Sequence, residues 1–195
     1  MDINKLTQKS QEALAEAQSI ATRMGHIEVD GEHLLMALID QPEGLVPRLL
    51  DQAVADTAAL RADLERELNR RPKVSGPGAT PGQVSVTRRL ANLLEAAERE
   101  AKRLKDEYVS VEHLVMALAE EGSAGAAGRM LASHGVTRDS FLAALTKVRG
   151  NQRVTSASPE GAYEALEKYG RDLVAEGRAG KLDPVIGRDA EIRRV

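Results

Sequence analysis

Residues 85–149 repeat residues 5–70, and a duplication of this length restricts the fold more than any other feature of the chain. At an offset of 80, Thr7 falls opposite Thr87, Leu14 opposite Leu94, Ala17 opposite Ala97, Ala21 opposite Ala101, Arg23 opposite Arg103 and Val29 opposite Val109. The run Glu32-His33-Leu34-Leu35-Met36-Ala37-Leu38 then meets Glu112-His113-Leu114-Val115-Met116-Ala117-Leu118, and after a one-residue slip Arg48, Leu60 and Leu64 meet Arg129, Phe141 and Leu145. Self-similarity at a fixed spacing marks a repeated supersecondary unit that cannot bury its apolar face alone. Two copies in tandem predict one body of approximate two-fold symmetry, with the halves facing each other across a shared core and a groove at their seam.

Each copy reads as four helices. In the first, Ala13, Leu14, Ala17, Ile20, Ala21 and Met24 recur at three- and four-residue spacing behind Thr7, a good N-cap, and Gly25 stands at the stop position. Asp30 caps a second helix carrying Leu34, Leu35, Ala37, Leu38 and Ile39, which Pro42 and Gly44 end. A third runs from Pro47 to about Ala53, and a fourth follows Asp56 with Leu60, Leu64 and Leu68 on one stripe, stopping before Pro72. Aromatic residues are only 2% of the chain, one Phe and three Tyr without Trp, so the core must be built from Leu, Ala, Val, Ile and Met. Ala and Leu are the best helix formers, and Ala lets helix axes approach closely. The expected fold is therefore all-α, an eight-helix pseudo-two-fold bundle of two tandem four-helix repeats over residues 1–149.

The 195 residues suffice for one self-supporting core with an appendage. A net charge of −3 lacks the basic footprint of a nucleic-acid binder, and no apolar run approaches the roughly 20 residues of a membrane helix, so neither partner is expected. The chain has no Cys, which excludes disulfides, thiolate catalysis and zinc–thiolate sites. It opens Met1-Asp2-Ile3-Asn4, unlike a signal peptide, and the expected location is cytoplasmic.

Residues 72–84 hold three Pro and three Gly and read as the loop between the copies. Residues 150–159 are rich in Ser, Thr, Asn and Gln and read as a flexible linker. Beyond them Tyr163, Leu166, Tyr169, Leu173 and Val174 fit one further helix, and the run Gly180-Lys181-Leu182-Asp183-Pro184-Val185-Ile186-Gly187-Arg188 is unlike the bundle.

The opening Leu6-Thr7-Gln8-Lys9-Ser10-Gln11-Glu12-Ala13-Leu14, the twin Glu-His-Leu segments and the closing Gly180–Arg188 run together resemble the Clp family of AAA+ unfoldases, in particular its ClpB-type disaggregases. The resemblance covers the whole chain. It implies a module that binds exposed apolar segments of unfolded or aggregated polypeptides weakly and passes them to an ATP-driven pore. It also implies that residues 160–195 begin a first nucleotide-binding domain in which Val185 and Ile186 lie beside an adenine ring. The parent would use ATP and Mg, carry a coiled coil, form a homohexamer and work with an Hsp70-type co-chaperone system. The ClpC-type protease chaperones share the doubled bundle and a similar Asp183-to-Gly187 run, so an adaptor-docking module stands as the alternative. No G-x-x-x-x-G-K-[ST] segment occurs in the 195 residues; this region is expected to be a non-enzymatic monomer with no cofactor of its own, ending before that loop.

The same resemblance places Thr7, Asp106 and Glu112 on a polar rim at the seam, associated with chaperone activity, while Leu93, Ala96, Ala97 and Val109 are candidates for an apolar floor. Taken singly, Thr7 also reads as a helix cap and the four apolar residues as core. The pairs Glu32-His33 and Glu112-His113 do not read as metal ligands, because neighbours diverge by about 100° around a helix. Glu there suits the helix's positive end, with the His an early-turn residue beside a polar partner. His26 and His134 read as partners of helix C-termini.

Overall fold

The apolar stripes become helices at the expected places. The computed structural model describes residues 2–53, 56–74, 84–150 and 152–159. The first copy comprises α1 (Gln8–Arg23), α2 (Gly31–Ile39), α3 (Leu45–Gln52) and α4 (Thr57–Arg70). The second comprises α5 (Arg88–Arg103), α6 (Val111–Glu121), α7 (Ala126–Ser133) and α8 (Arg138–Arg149), with a 3₁₀ turn at Gly122–Ala124 between α6 and α7. The caps are those the sequence offers: Thr7 Oγ1 accepts from the Ser10 N–H at 3.3 Å, Thr87 from Leu90 at 3.1 Å and Asp56 from Ala59 at 2.9 Å. The third helix starts two residues before Pro47, which sits in the first turn, where the missing N–H has no partner to lose.

The two Glu-His-Leu segments are the hubs. All nine residues of α2 are buried, as are Val111–Leu118 of α6, so neither helix keeps a polar face. Helix α2 meets α5, α6 and α7 of the other copy, α6 meets α1 and α3, α3 meets α8, and α4 meets α7. Apolar side chains of both copies form a single cluster, as the duplication requires. Gly31 opens α2 at a close approach: a Cβ there would stand 3.1 Å from Leu118 Cδ2.

The sequence reading contained no strands, yet the seam has two short parallel pairings. Strand β1 (Glu28–Val29) pairs with β2 (Ser85–Val86), Val29 opposite Val86, and Leu6 bridges Val109. At the offset of 80, Leu6 corresponds to Val86 and Val29 to Val109. The two pairings are therefore one contact made twice: the lead-in to each copy's first helix binds the lead-in to the other copy's second. Thr7 N–H donates to the Val109 carbonyl at 3.0 Å, and Thr87 N–H to that of Val29 at 3.1 Å.

Residues 152–159 depart from the flexible linker expected of their composition. Val154 is fully buried, its N–H donates to Asp106 Oδ1 at 2.8 Å and its carbonyl accepts from Glu107 at 2.9 Å. The Ala157 carbonyl accepts from Gln8 N–H at 2.8 Å, and Ser158 Oγ donates to Gln8 Oε1 at 2.7 Å. The segment is docked by backbone bonds that composition does not report. The further helix over 163–174, Val185 and Ile186 lie outside the described residues.

Tight packing gives a first prediction. A Cβ at Gly128 in α7 would collide with the Gly122 carbonyl oxygen and stand 2.9 Å from that of Leu118. Backbone cannot swing away as a side-chain tip can, so Gly128→Ala is expected to cost roughly 1–3 kcal/mol. Urea unfolding should show a lowered midpoint while remaining one transition, because both copies share the core.

Candidate binding site

Each copy holds a buried charged cluster where its second helix begins. In the second copy, His113 Nδ1 accepts from the Ser110 N–H at 2.9 Å, closing the capping box of α6. That bond leaves Nε2 as the protonated nitrogen, 2.9 Å from Asp106 Oδ2. Arg149, the last residue of α8, reaches Asp106 Oδ1 at 2.6 Å and Glu112 Oε1 at 3.5 Å. Burial opposes the charge on Asp106, but hydrogen bonds from His113, Arg149 and Val154 hold its carboxyl below the usual range.

The first copy repeats the plan with one exchange. His33 Nδ1 accepts from the Asp30 N–H at 3.1 Å, and Arg71 at the end of α4 reaches Glu32 at 2.6 Å and Asp30 at 3.7 Å. His26 stands where the second copy has Asp106, and His33 Nε2 lies 2.8 Å from His26 Nδ1. With Nδ1 committed to the cap, His33 donates through Nε2 and His26 accepts through Nδ1. Burial, the Arg71 guanidinium and the neighbouring imidazole depress His33 to about 4, and burial, Arg71 and Lys73 lower His26 as well.

A groove of about 600 Å³ runs along α5 against the end of α6 and the 3₁₀ turn. Leu93, Ala96, Ala117 and Ala124 supply apolar lining, and Arg88, Arg89, Arg99, Glu120 and Glu121 surround them. On α6, Glu121 pairs with Arg89 at 3.5 Å and Glu120 with Arg103 at 3.4 Å. Burial raises the Glu121 carboxyl, Arg89 opposing it.

The structure thus separates the residues that sequence reasoning grouped. Ala96 lines the groove half-buried and Leu93, a core residue, backs it, whereas Ala97 and Val109 are buried away from it, Val109 in the pairing with Leu6. Thr7 and Glu112 are fully buried and Asp106 nearly so, which departs from the expected rim: Arg149 neutralises the two carboxylates beneath the surface. The groove lies on the second copy beside the seam and does not straddle it. His26 is buried against His33 and also interacts with the Leu68 backbone in the last turn of α4, and His134, C-cap of α7, meets Asp63 of α4 at 3.0 Å. Arg71, Arg149 and the basic face of α5 were missed. The offset of 80 would have aligned His26 with Asp106, but nothing in the repeat points to arginines arriving from the fourth helices.

The fold is a doubled four-helix repeat closed around one shared core, with a buried charged cluster in each copy. The chain belongs to the Clp repeat N-terminal domain family, whose pattern matches residues 5–134. Over all 195 residues it is 60% identical to the chaperone protein ClpB of Nitratidesulfovibrio vulgaris and 50% identical to that of Bacillus cereus, and it spans 22% of the length of each. The Hsp104 N-terminal domain from Candida albicans superposes with a TM-score of 0.68 over 80% of this chain and 99% of that one, at 20% identity. The ClpV N-domain from Vibrio cholerae gives 0.63 over 74% and 85%, again at 20% identity. These two likenesses are of fold.

The clusters generate two predictions. Arg149→Met leaves Asp106 and Glu112 buried without their shared cation, a change that costs roughly 3–5 kcal/mol, and thermal unfolding should show it. In the first copy the depressed histidines take up protons on unfolding, so stability is full above the ordinary histidine range near pH 6.5 and falls as pH drops towards the His33 value of about 4. His26→Asp removes one depressed histidine and sets a carboxylate against the His33 Nε2–H, as Asp106 stands against His113, and should flatten that decline in urea midpoints between pH 7 and 4.5.

Proposed function

We propose that this domain is the client-recognition module of an ATP-dependent protein disaggregase, and that its α5–α6 groove loosely holds exposed apolar segments of misfolded chains. The observation that carries the reading is the groove itself, with Leu93, Ala96, Ala117 and Ala124 forming a shallow apolar lining inside a charged border. Burial of apolar area at about 25 cal/mol/Å² rewards any apolar segment, and so tolerates many clients. Identity of 60% over these 195 residues to a ClpB chaperone, of which they span 22%, supports the assignment, and the parent would supply ATP, Mg and the pore. In it, the domain would belong to a homohexamer acting with an Hsp70-type system in the cytoplasm.

Thr7, Asp106 and Glu112 enter as positioning residues. Thr7 caps α1 and donates its N–H to Val109, while Asp106 and Glu112 engage the cation that secures the start of α6. Ala117, Glu120 and Glu121 on the later turns of α6 form one wall of the groove.

An NMR titration of the 195-residue chain with a permanently unfolded polypeptide tests the reading. Weak, saturable shifts are expected at the amides of Leu93, Ala96, Ala117 and Ala124. Ala96→Gln, which puts a polar side chain into the half-buried lining, should weaken binding roughly fivefold, about 1 kcal/mol. Shifts confined to other faces, or none, would overturn it.

A further inference from the structure

The first turn of α5 carries cations for which the helix's own stability gives no reason. Arg88 and Arg89 occupy its first turn, which contains no acidic residue, although the positive end of a helix dipole disfavours cations there. Arg89 is matched by Glu121 at 3.5 Å and by Glu32 at 4.0 Å. Arg88 and Arg99 are exposed, line the groove and form no ion pair among the described residues. On the opposite wall, Glu120 and Glu121 already face Arg103 and Arg89. The groove therefore presents an apolar centre with one unmatched positive charge towards each end.

The other copy shows that this pattern is not inherited from the repeat. At the offset of 80, Arg88, Asn92, Ala96 and Arg99 correspond to Gln8, Glu12, Glu16 and Ser19. There Lys9 pairs with Glu12 at 3.3 Å, and Gln41, at the position of Glu121, donates its amide to the Lys9 carbonyl at 2.9 Å across the equivalent cleft. The same two positions are bridged in both copies, Gln41 to Lys9 and Glu121 to Arg89, but the first copy carries Glu12 and Glu16 on this face where the second carries Asn92 and Ala96.

We infer that the groove selects client segments in which an apolar centre is flanked by two carboxylates six residues apart, received by Arg88 and Arg99. The spacing follows from geometry: eleven helical residues span about 16 Å along the axis, six extended residues cover about 20 Å, within reach of two long arginine side chains, and an even separation puts both carboxylates on one face of the extended segment. The occupant is an unfolded, locally acidic polypeptide segment. This selectivity rests on the proposed function, because it assumes that the groove is where clients bind.

Fluorescence anisotropy with the 195-residue chain distinguishes the two claims. Three extended peptides share one apolar centre and carry, at positions six residues apart, two Asp, two Asn or two Lys. At low salt the Asp peptide should bind about fivefold tighter than the Asn peptide, as two exposed ion pairs of about 0.5 kcal/mol each allow, and the Lys peptide weakest. Arg88→Gln combined with Arg99→Gln should bring the ratio of Asp- to Asn-peptide affinity to about one while leaving the unfolding midpoint unchanged, since both side chains are exposed. Equal binding of the Asp and Asn peptides, with both weakened by Ala96→Gln, would overturn the charge selectivity and spare the groove. Binding of every peptide that ignores Ala96→Gln, or no binding at all, would overturn both. An Asp advantage that survives loss of the two arginines would also overturn the inference.

Discussion

Everything in this fold depends on the reciprocal pairing at the seam, where Leu6 bridges Val109 and Val29 pairs with Val86. A four-helix copy alone would expose the apolar sides of α2 or α6, helices with no polar face. The pairings fix the register in which these two helices meet, because each ties one copy's first helix to the start of the other's second. Thr7 and Thr87 make the link rigid, each capping its own helix while donating its backbone N–H across the seam. Cap and crossing bond share a residue, so a helix terminus cannot fray without loosening the interface.

Within that frame the buried charges answer a problem set by the sequence itself. Glu32 and Glu112 stand at the starts of hub helices, where the dipole welcomes an anion but water is excluded. Arg71 and Arg149 supply the cations from the ends of the fourth helices, so each copy's last helix is fastened to its second. The exchange of Asp106 for His26 makes the copies unequal. An Asp–Arg bond reinforces the second copy, whereas the first relies on an imidazole pair that holds together only while both rings are neutral. The copy braced by the Asp–Arg bond also carries the groove between α5 and α6.

Helices were legible because α-helical periodicity and Thr or Asp caps are local, and because duplication let each copy corroborate the other. Pairings of two residues leave no periodic trace, so β1 and β2 were invisible. Composition misled over residues 152–159: Ser, Thr, Asn and Gln suggest a free linker, but Val154 alone, with its backbone bonded to Asp106 and Glu107, is enough to dock the segment. For the site, the resemblance pointed at Thr7, Asp106 and Glu112, which lie beneath the surface, and at Leu93 and Ala96, which reach the groove. Whether an apolar helical residue faces core or cleft depends on what its neighbour leaves uncovered, and that is a property of packing.

Packing of this kind also sets the two copies apart. In the first copy the polar residues after α2 fold back, Gln41 onto Lys9, and Asp40 pairs with Arg61 of α4 at 2.6 Å. In the second, α6 runs on to Glu121, and the glycine-rich turn through Gly122, Gly125 and Gly128 carries the chain away towards α7. Gly128 admits the close passage of the Gly122 carbonyl, and a Cβ at Gly125 would collide with the Glu121 carboxylate. The small residues that open the cleft thus also hold Glu121 aside, against Arg89, so that the wall's anion is matched and the unmatched cations of α5 are left facing the groove. One copy has kept the packing role of the repeat, and the other has turned the same helices into a surface with a sign.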